Sequence, residues 1–142
     1  MDELSLFWKS LSRVTQCENI IILPKSAALF PSKMTSIYVR QSYVELFKII
    51  LDKLSTPLKS GMVISGTPGI GKTIFLFYIL WRLSKIPKIA KTIILHRQED
   101  GGRIFVFNHD DCFTTRDLND IDNYLLEKST WYLTDLKDSP GN

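Results

Sequence analysis

The chain has 142 residues, 44% of them hydrophobic and 23% charged, with 18 basic against 15 acidic side chains for a net charge of +3. That is the length of one domain, and the apolar content suffices for a buried core, which excludes the weakly hydrophobic class of disordered chains. So small a positive excess favours anions but does not by itself argue for nucleic acid, which is left without support.

Cys17 and Cys112 stand far apart and form no C-x-x-C pair, so neither a disulfide framework nor a zinc site is expected. A reducing, intracellular compartment and a soluble chain fit best. The first residues, Met1-Asp2-Glu3, are acidic, and Leu4, Phe7, Trp8, Leu11 and Val14 then recur at helical spacing. This is one apolar helix face over about residues 3–15, not the basic start and apolar core of a signal peptide. The longest apolar run, Ile74 to Trp81, is too short for a bilayer, so no membrane is expected as a partner.

Further along the chain, Asn19-Ile20-Ile21-Ile22-Leu23 is β-branched and ends at Pro24, which predicts a short strand. Residues 24–36 carry two prolines among serines and lysines and predict a connecting loop, followed by an extended Ile37-Tyr38-Val39. Val44, Phe47, Ile50, Leu51 and Leu54 then recur at helical spacing from Gln41 onward, and Pro57 predicts the stop.

Met62-Val63-Ile64-Ser65 predicts a buried strand that runs straight into glycines. A helix from Gly71 to about Lys85 is apolar nearly all round, as a helix wedged between a sheet and other elements would be. Lys91 to His96 and Arg103 to Phe107 predict two strands joined at Glu99-Asp100-Gly101-Gly102, a hairpin. A helix near 117–128 should precede a last strand, Thr130-Trp131-Tyr132-Leu133-Thr134, which ends in Asp135.

The glycine run carries the chemistry. Gly66-Thr67-Pro68-Gly69-Ile70-Gly71-Lys72-Thr73 has the form G-x-x-x-x-G-K-T, placed between a predicted strand and a predicted helix. Glycines at these places let successive backbone N–H groups turn inward around phosphate oxygens. Lys72 would put a cation on the β- and γ-phosphates, and the Thr73 hydroxyl would coordinate Mg²⁺. The helix that opens there directs its positive end at the same anion. The expected ligands are ATP, or another nucleoside triphosphate, and Mg²⁺.

Such a site needs a second acid to hold the metal at the end of a neighbouring strand. Asp135 is the candidate, and with Lys72 it forms the expected catalytic pair; the alternative is a strand-end turn or helix-capping aspartate. Leu136 stands where many P-loop ATPases carry a water-polarising glutamate, so the general base is missing from its usual place. His109-Asp110-Asp111 follows a strand directly and reads better as a solvated turn than as a metal cluster. Lys85, Lys88, Lys91, Arg97 and Arg103 give the middle of the chain a basic bias, read as a solvated helix end and hairpin.

Two stretches go beyond a generic phosphate loop. Ser65 to Leu83, followed by Thr92-Ile93-Ile94-Leu95-His96-Arg97, resembles the NTPase region of Crinkler-type effectors and is similar to that of the retrotransposon hot spot proteins of trypanosomes. Thr130-Trp131-Tyr132-Leu133-Thr134-Asp135 resembles the segment that holds the family's second metal-binding acid, and Ile37 to Leu46 resembles the lead-in before its phosphate loop.

The resemblance implies an ATPase-like module that in full-length effectors joins a nuclease-like domain, in proteins that act inside a host cell and often in its nucleus. It implies Lys72 and Thr73 for phosphates and metal, Asp135 for the metal, and Tyr38, Val39 and Arg40 for the base. The expected fold is α/β: a P-loop NTPase-like, mostly parallel sheet flanked by helices, with the loop after an inner strand and the core incomplete. Residues 1–36 would be an N-terminal helix, strand and linker, and 37–142 an NTPase domain truncated after the metal-binding acid, lacking the family's leading translocation domain. The expected function is ATP and Mg²⁺ binding, with hydrolysis as the reaction the site would support. The alternatives are a nucleotide-dependent switch or non-hydrolysing protein-interaction module, whose partner would be a protein or a missing C-terminal domain, and, third, a small-molecule kinase.

Overall fold

The structure, a computed structural model, describes residues 3–25, 35–54, 63–64, 70–97, 101–108 and 111–134. In chain order these form α1 (Glu3–Arg13), β1 (Ile20–Ile22), β2 (Ser36–Tyr38), α2 (Gln41–Leu54), β3 (Val63–Ile64), α3 (Ile70–Ser84), β4 (Thr92–Arg97), β5 (Arg103–Asn108) and β6 (Cys112–Thr115). A 3₁₀ turn (Leu118–Ile121), α4 (Asp122–Leu125) and β7 (Thr130–Thr134) follow. The fold is mixed α/β, with a two-stranded ribbon, β1–β2, beside a five-stranded sheet in the order β3-β7-β4-β5-β6.

The sheet departs from expectation in two ways. Its ladders divide evenly: β3–β7 and β7–β4 are parallel, while β4–β5 and β5–β6 are antiparallel. The expected mostly parallel sheet is thus a mixed one. The cause lies in β4 to β6, which are linked by connections too short for a crossover helix and so must run as an antiparallel meander. Among the described residues the strand that precedes the glycine loop is not inner either. Among the described residues β3 has one neighbour, β7, and stands at the end of the strand order.

Strand β6 is an element the sequence reading missed, since it placed only a turn after residue 108. The helix expected near 117–128 is much shorter. Asp117 caps a 3₁₀ turn, its side chain accepting from the Asn119 N–H at 3.0 Å, and only one α-turn follows before β7.

Alternation divides the sheet into two faces. Ile93, Leu95, Phe105, Phe107, Trp131 and Leu133 face one way, into a single apolar cluster with Phe7, Trp8 and Leu11 of α1, Tyr43 and Phe47 of α2, and Leu76 to Leu83 of α3. On the other face Ile94, Ile104 and Val106 meet Ile121, with Phe113, Tyr124 and Tyr132 packed around them. Helical elements therefore cover both faces, as expected.

The all-round apolarity of α3 has its reason here, since Leu76 to Trp81 and Leu83 are all buried. Helix α1 docks on α3 through the Trp81 indole N–H, which donates to the Val14 carbonyl at 3.0 Å, and through the Lys85 ammonium, which donates to the Ser12 carbonyl at 3.2 Å. Trp8 stacks on Phe107, their ring centroids 4.8 Å apart. The hairpin register pairs Arg97 with Arg103 and reaches its turn through Gly101 and Gly102, at φ 68° and 75°. Two successive residues in the left-handed region explain the glycine pair there. No described helix is long and apolar enough to cross a membrane.

Candidate functional site at the carboxyl end of the sheet

Strands β3, β7 and β4 run parallel, so their carboxyl ends lie at one edge, where open α/β sheets place their ligands. The register is specific. Ile64 pairs with Leu133, and Leu133 with Leu95; one step on, Thr134 pairs with His96. Counting along the sequence, Gly66 comes two residues after Ile64, and Asp135 two residues after Leu133. The strands leading to the glycine loop and to the candidate metal-binding acid are thus direct neighbours, about 4.8 Å apart.

Gly66, Thr67, Pro68, Gly69 and Asp135 themselves lie outside the described residues, as do Leu136, His109 and Asp110. Ile70, Gly71, Lys72 and Thr73 form the first turn of α3. A 15-residue helix presents its unsatisfied N–H groups and the positive end of its dipole at this turn. Among the described residues no three His, Cys, Asp or Glu side chains form a metal-holding group. Neither cysteine is in a disulfide: Cys17 is exposed, and the Cys112 thiol is buried and donates to the Asn108 carbonyl at 3.5 Å.

A cavity of about 400 Å³ lies at the start of α2, lined by Gln16, Asn19, Tyr38, Val39, Arg40, Gln41 and Val44. It brings together Tyr38, Val39 and Arg40, the three residues read as a base-lining segment. Gln16 and Asn19, from the turn after α1, are additions that no sequence signal pointed to. Backbone pairing places Asn19, whose carbonyl accepts from the Val39 N–H at 2.7 Å, while the Gln16 side-chain amide donates to the Glu18 carbonyl at 2.7 Å. Helix α2, which contributes Gln41 and Val44 to the cavity, packs on α3, where Tyr43 meets Phe75 with centroids 5.3 Å apart, one turn beyond Gly71 and Lys72 in sequence.

The sheet face away from α3 carries polar groups at the same carboxyl edge. His96 Nδ1 and the Tyr132 hydroxyl are hydrogen-bonded, and their rings meet edge-on. Nearer the other end, the Asn108 amide donates to the Thr92 hydroxyl at 2.7 Å. The buried hydroxyl of Thr130 completes no hydrogen bond among the described residues.

Burial pushes the Tyr132 phenol above its ordinary value, with the Thr134 hydroxyl beside it pulling the other way. A raised phenol pKa means that the folded chain keeps this proton longer than the unfolded one. The stability it contributes is whole below about pH 10, the ordinary tyrosine value, and is lost as the pH rises through the folded-state pKa. In urea melts at pH 8 to 11, Tyr132→Phe should lose less stability across that window than the wild type. Equal losses would exclude Tyr132 as their source.

Over 63 residues the chain is 35% identical to Crinkler effector protein 15 and, to the same extent, to Crinkler effector protein 16, both of Phytophthora infestans. The matched stretch covers 44% of this chain and 10% of each relative, so it spans about a tenth of their length. The chain is similar to Crinkler effectors over that stretch. No protein-family model matches the chain. No solved structure matches it.

Proposed function

We propose that the chain is the nucleotide-binding module of a Crinkler-like effector, taking ATP with Mg²⁺ through residues 66–73. The observation that carries the reading is the parallel pairing of β3 with β7. Two sequence features that the chemistry needs side by side, a phosphate loop and a metal-holding acid, follow adjacent strand ends, and α3 begins with the motif's last four residues.

The donor set suits the metal, because the Thr73 hydroxyl and Asp135 carboxylate are hard oxygen ligands of the kind Mg²⁺ takes together with phosphates. Bound there, Mg²⁺ would neutralise charge on the phosphate oxygens. Lys72 would hold the β- and γ-phosphates and offset the charge that builds as water displaces the terminal phosphoryl group. The cavity at Tyr38 to Val44 fits the base: it has an apolar wall in Val39 and Val44 and hydrogen-bonding groups in Gln16, Asn19 and Gln41.

A second reading, a switch that binds nucleotide without turning it over, is favoured by Leu136 in the place of a water-polarising glutamate. Calorimetric titration of the purified chain with Mg-ATP, paired with a phosphate-release assay, tests both. Binding with release supports an ATPase, binding without release selects the switch, and an absence of binding overturns the proposal.

A further inference from the structure

We propose that Asn19, in the turn after α1, reads the edge of the base in the cavity and selects adenine over guanine; this rests on the nucleotide reading above. The turn belongs to the N-terminal stretch that the sequence set apart from the nucleotide-binding domain, yet two of its residues, Gln16 and Asn19, line the cavity.

The backbone holds Asn19 in place. The Cys17 N–H donates to the Ile20 carbonyl at 2.9 Å and the Ile20 N–H to the Cys17 carbonyl at 3.0 Å, which closes a two-residue turn over Glu18 and Asn19. The Asn19 carbonyl accepts from the Val39 N–H, tying the turn to the extended segment on the cavity's other side. Within the turn Glu18 has φ 56°, alone among the described non-glycine residues in having a positive φ. That region disfavours a residue with a Cβ, so neighbouring contacts must hold it. The Gln16 side-chain amide supplies one of them, donating to the Glu18 carbonyl. Asn19 thus meets the cavity from a braced turn, with its own carbonyl already paired.

The lining decides which base fits. Gln16, Asn19 and Gln41 are carboxamides, and among the described residues no carboxylate lines the cavity. A carboxamide sets an acceptor beside a donor, which adenine matches with its N6 amine and an adjacent ring nitrogen. Guanine puts two donors, N1–H and N2–H, on its pairing edge, and these suit the paired oxygens of a carboxylate. Arg40 is the competing reader, since a guanidinium suits guanine O6 and N7; having donors alone, it cannot answer guanine's N1–H and N2–H. The Tyr38 ring, 62% exposed, gives either purine a flat face to stack on, so the edge contact makes the difference.

The test is calorimetric titration of the wild type, Asn19→Ala and Asn19→Asp with Mg-ATP and with Mg-GTP. Both substitutions change an exposed side chain and keep the backbone pairs of the turn, so both variants should fold. The wild type should bind Mg-ATP about tenfold tighter than Mg-GTP, and Asn19→Ala should bring the two affinities together. Asn19→Asp exchanges the donor for a second acceptor and should swing the ratio toward GTP. A wild type without ATP preference, or an ATP-to-GTP ratio unmoved in Asn19→Ala, overturns the inference and leaves the nucleotide reading standing. A preference for GTP that Arg40→Met removes would assign the base to Arg40 and overturn it likewise. A wild type that binds neither nucleotide removes both.

Discussion

Lys72→Ala should weaken Mg-ATP binding by about a hundredfold, with a melting temperature close to that of the wild type. The binding loss follows from the removed charge. A charge-assisted hydrogen bond contributes about 1.5–3 kcal/mol, and a loss of about 2.7 kcal/mol is a hundredfold in affinity. The unchanged stability follows from the position in α3. Lys72 is in the first turn, whereas the residues that anchor the helix are Leu76 to Trp81 and Leu83, buried against α1, α2 and the sheet. Alanine is the best helix former, so the turn loses nothing in propensity. Calorimetry and thermal melts of the same two preparations separate the effects. Unchanged affinity would remove Lys72 from the phosphate site, and a large drop in melting temperature would show that the first turn bears more of the fold than its place suggests.

The largest expected effect on stability is at Tyr78. Its side chain is fully buried in α3, with ring centroids 5.6 Å from Tyr43, 5.9 Å from Trp81 and, edge-on, 6.4 Å from Phe47. The Arg82 guanidinium donates to its hydroxyl at 3.2 Å while lying over the Phe47 ring at 4.7 Å. These contacts are what dock α2 on α3. Tyr78→Ala should cost about 3–5 kcal/mol, the range for emptying a buried aromatic site, out of a total of about 5–15 kcal/mol for a small domain. Tyr78→Phe keeps the ring and loses only the acceptor for Arg82, at about 0.5–1.5 kcal/mol. Denaturant unfolding of the pair measures the difference directly. A cost near 1 kcal/mol for alanine would mean that α2 is held elsewhere. Because Gln41 and Val44 of α2 line the cavity beside Tyr38, Tyr78→Ala should also weaken any ligand that enters it.

The same residues explain how far the sequence could be read. Helices α2 and α3 and the β4–β5 hairpin lie within a few residues of where their patterns put them, because apolar period and glycine turns act over short stretches of chain. Strand β6 was missed for an equally local reason. Cys112-Phe113-Thr114-Thr115 is short, stands at the end of the sheet and follows an Asn-His-Asp-Asp string that reads as a turn. Its partner β5, not its own pattern, makes it a strand. The helix expected near 117–128 starts where expected, at the Asp117 cap, but consists of a 3₁₀ turn and a single α-turn that ends at Leu125.

By itself, then, the sequence determined the α/β class of the domain and most of its elements, and it carries the G-x-x-x-x-G-K-T string and Asp135 on which the proposed nucleotide site rests. Tertiary structure decided what stands beside what. It set β7 between β3 and β4, so that the strands before the glycine run and Asp135 are neighbours, and among the described residues β3 stands at the end of the order. It joined Gln16 and Asn19 to Tyr38, Val39 and Arg40 around one cavity, and it opposed Arg97 to Arg103 over the same face. Those relations depend on strand register and on which face of the sheet finds an apolar partner. Residues far apart in the chain settle both together, through burial that no local stretch can achieve alone.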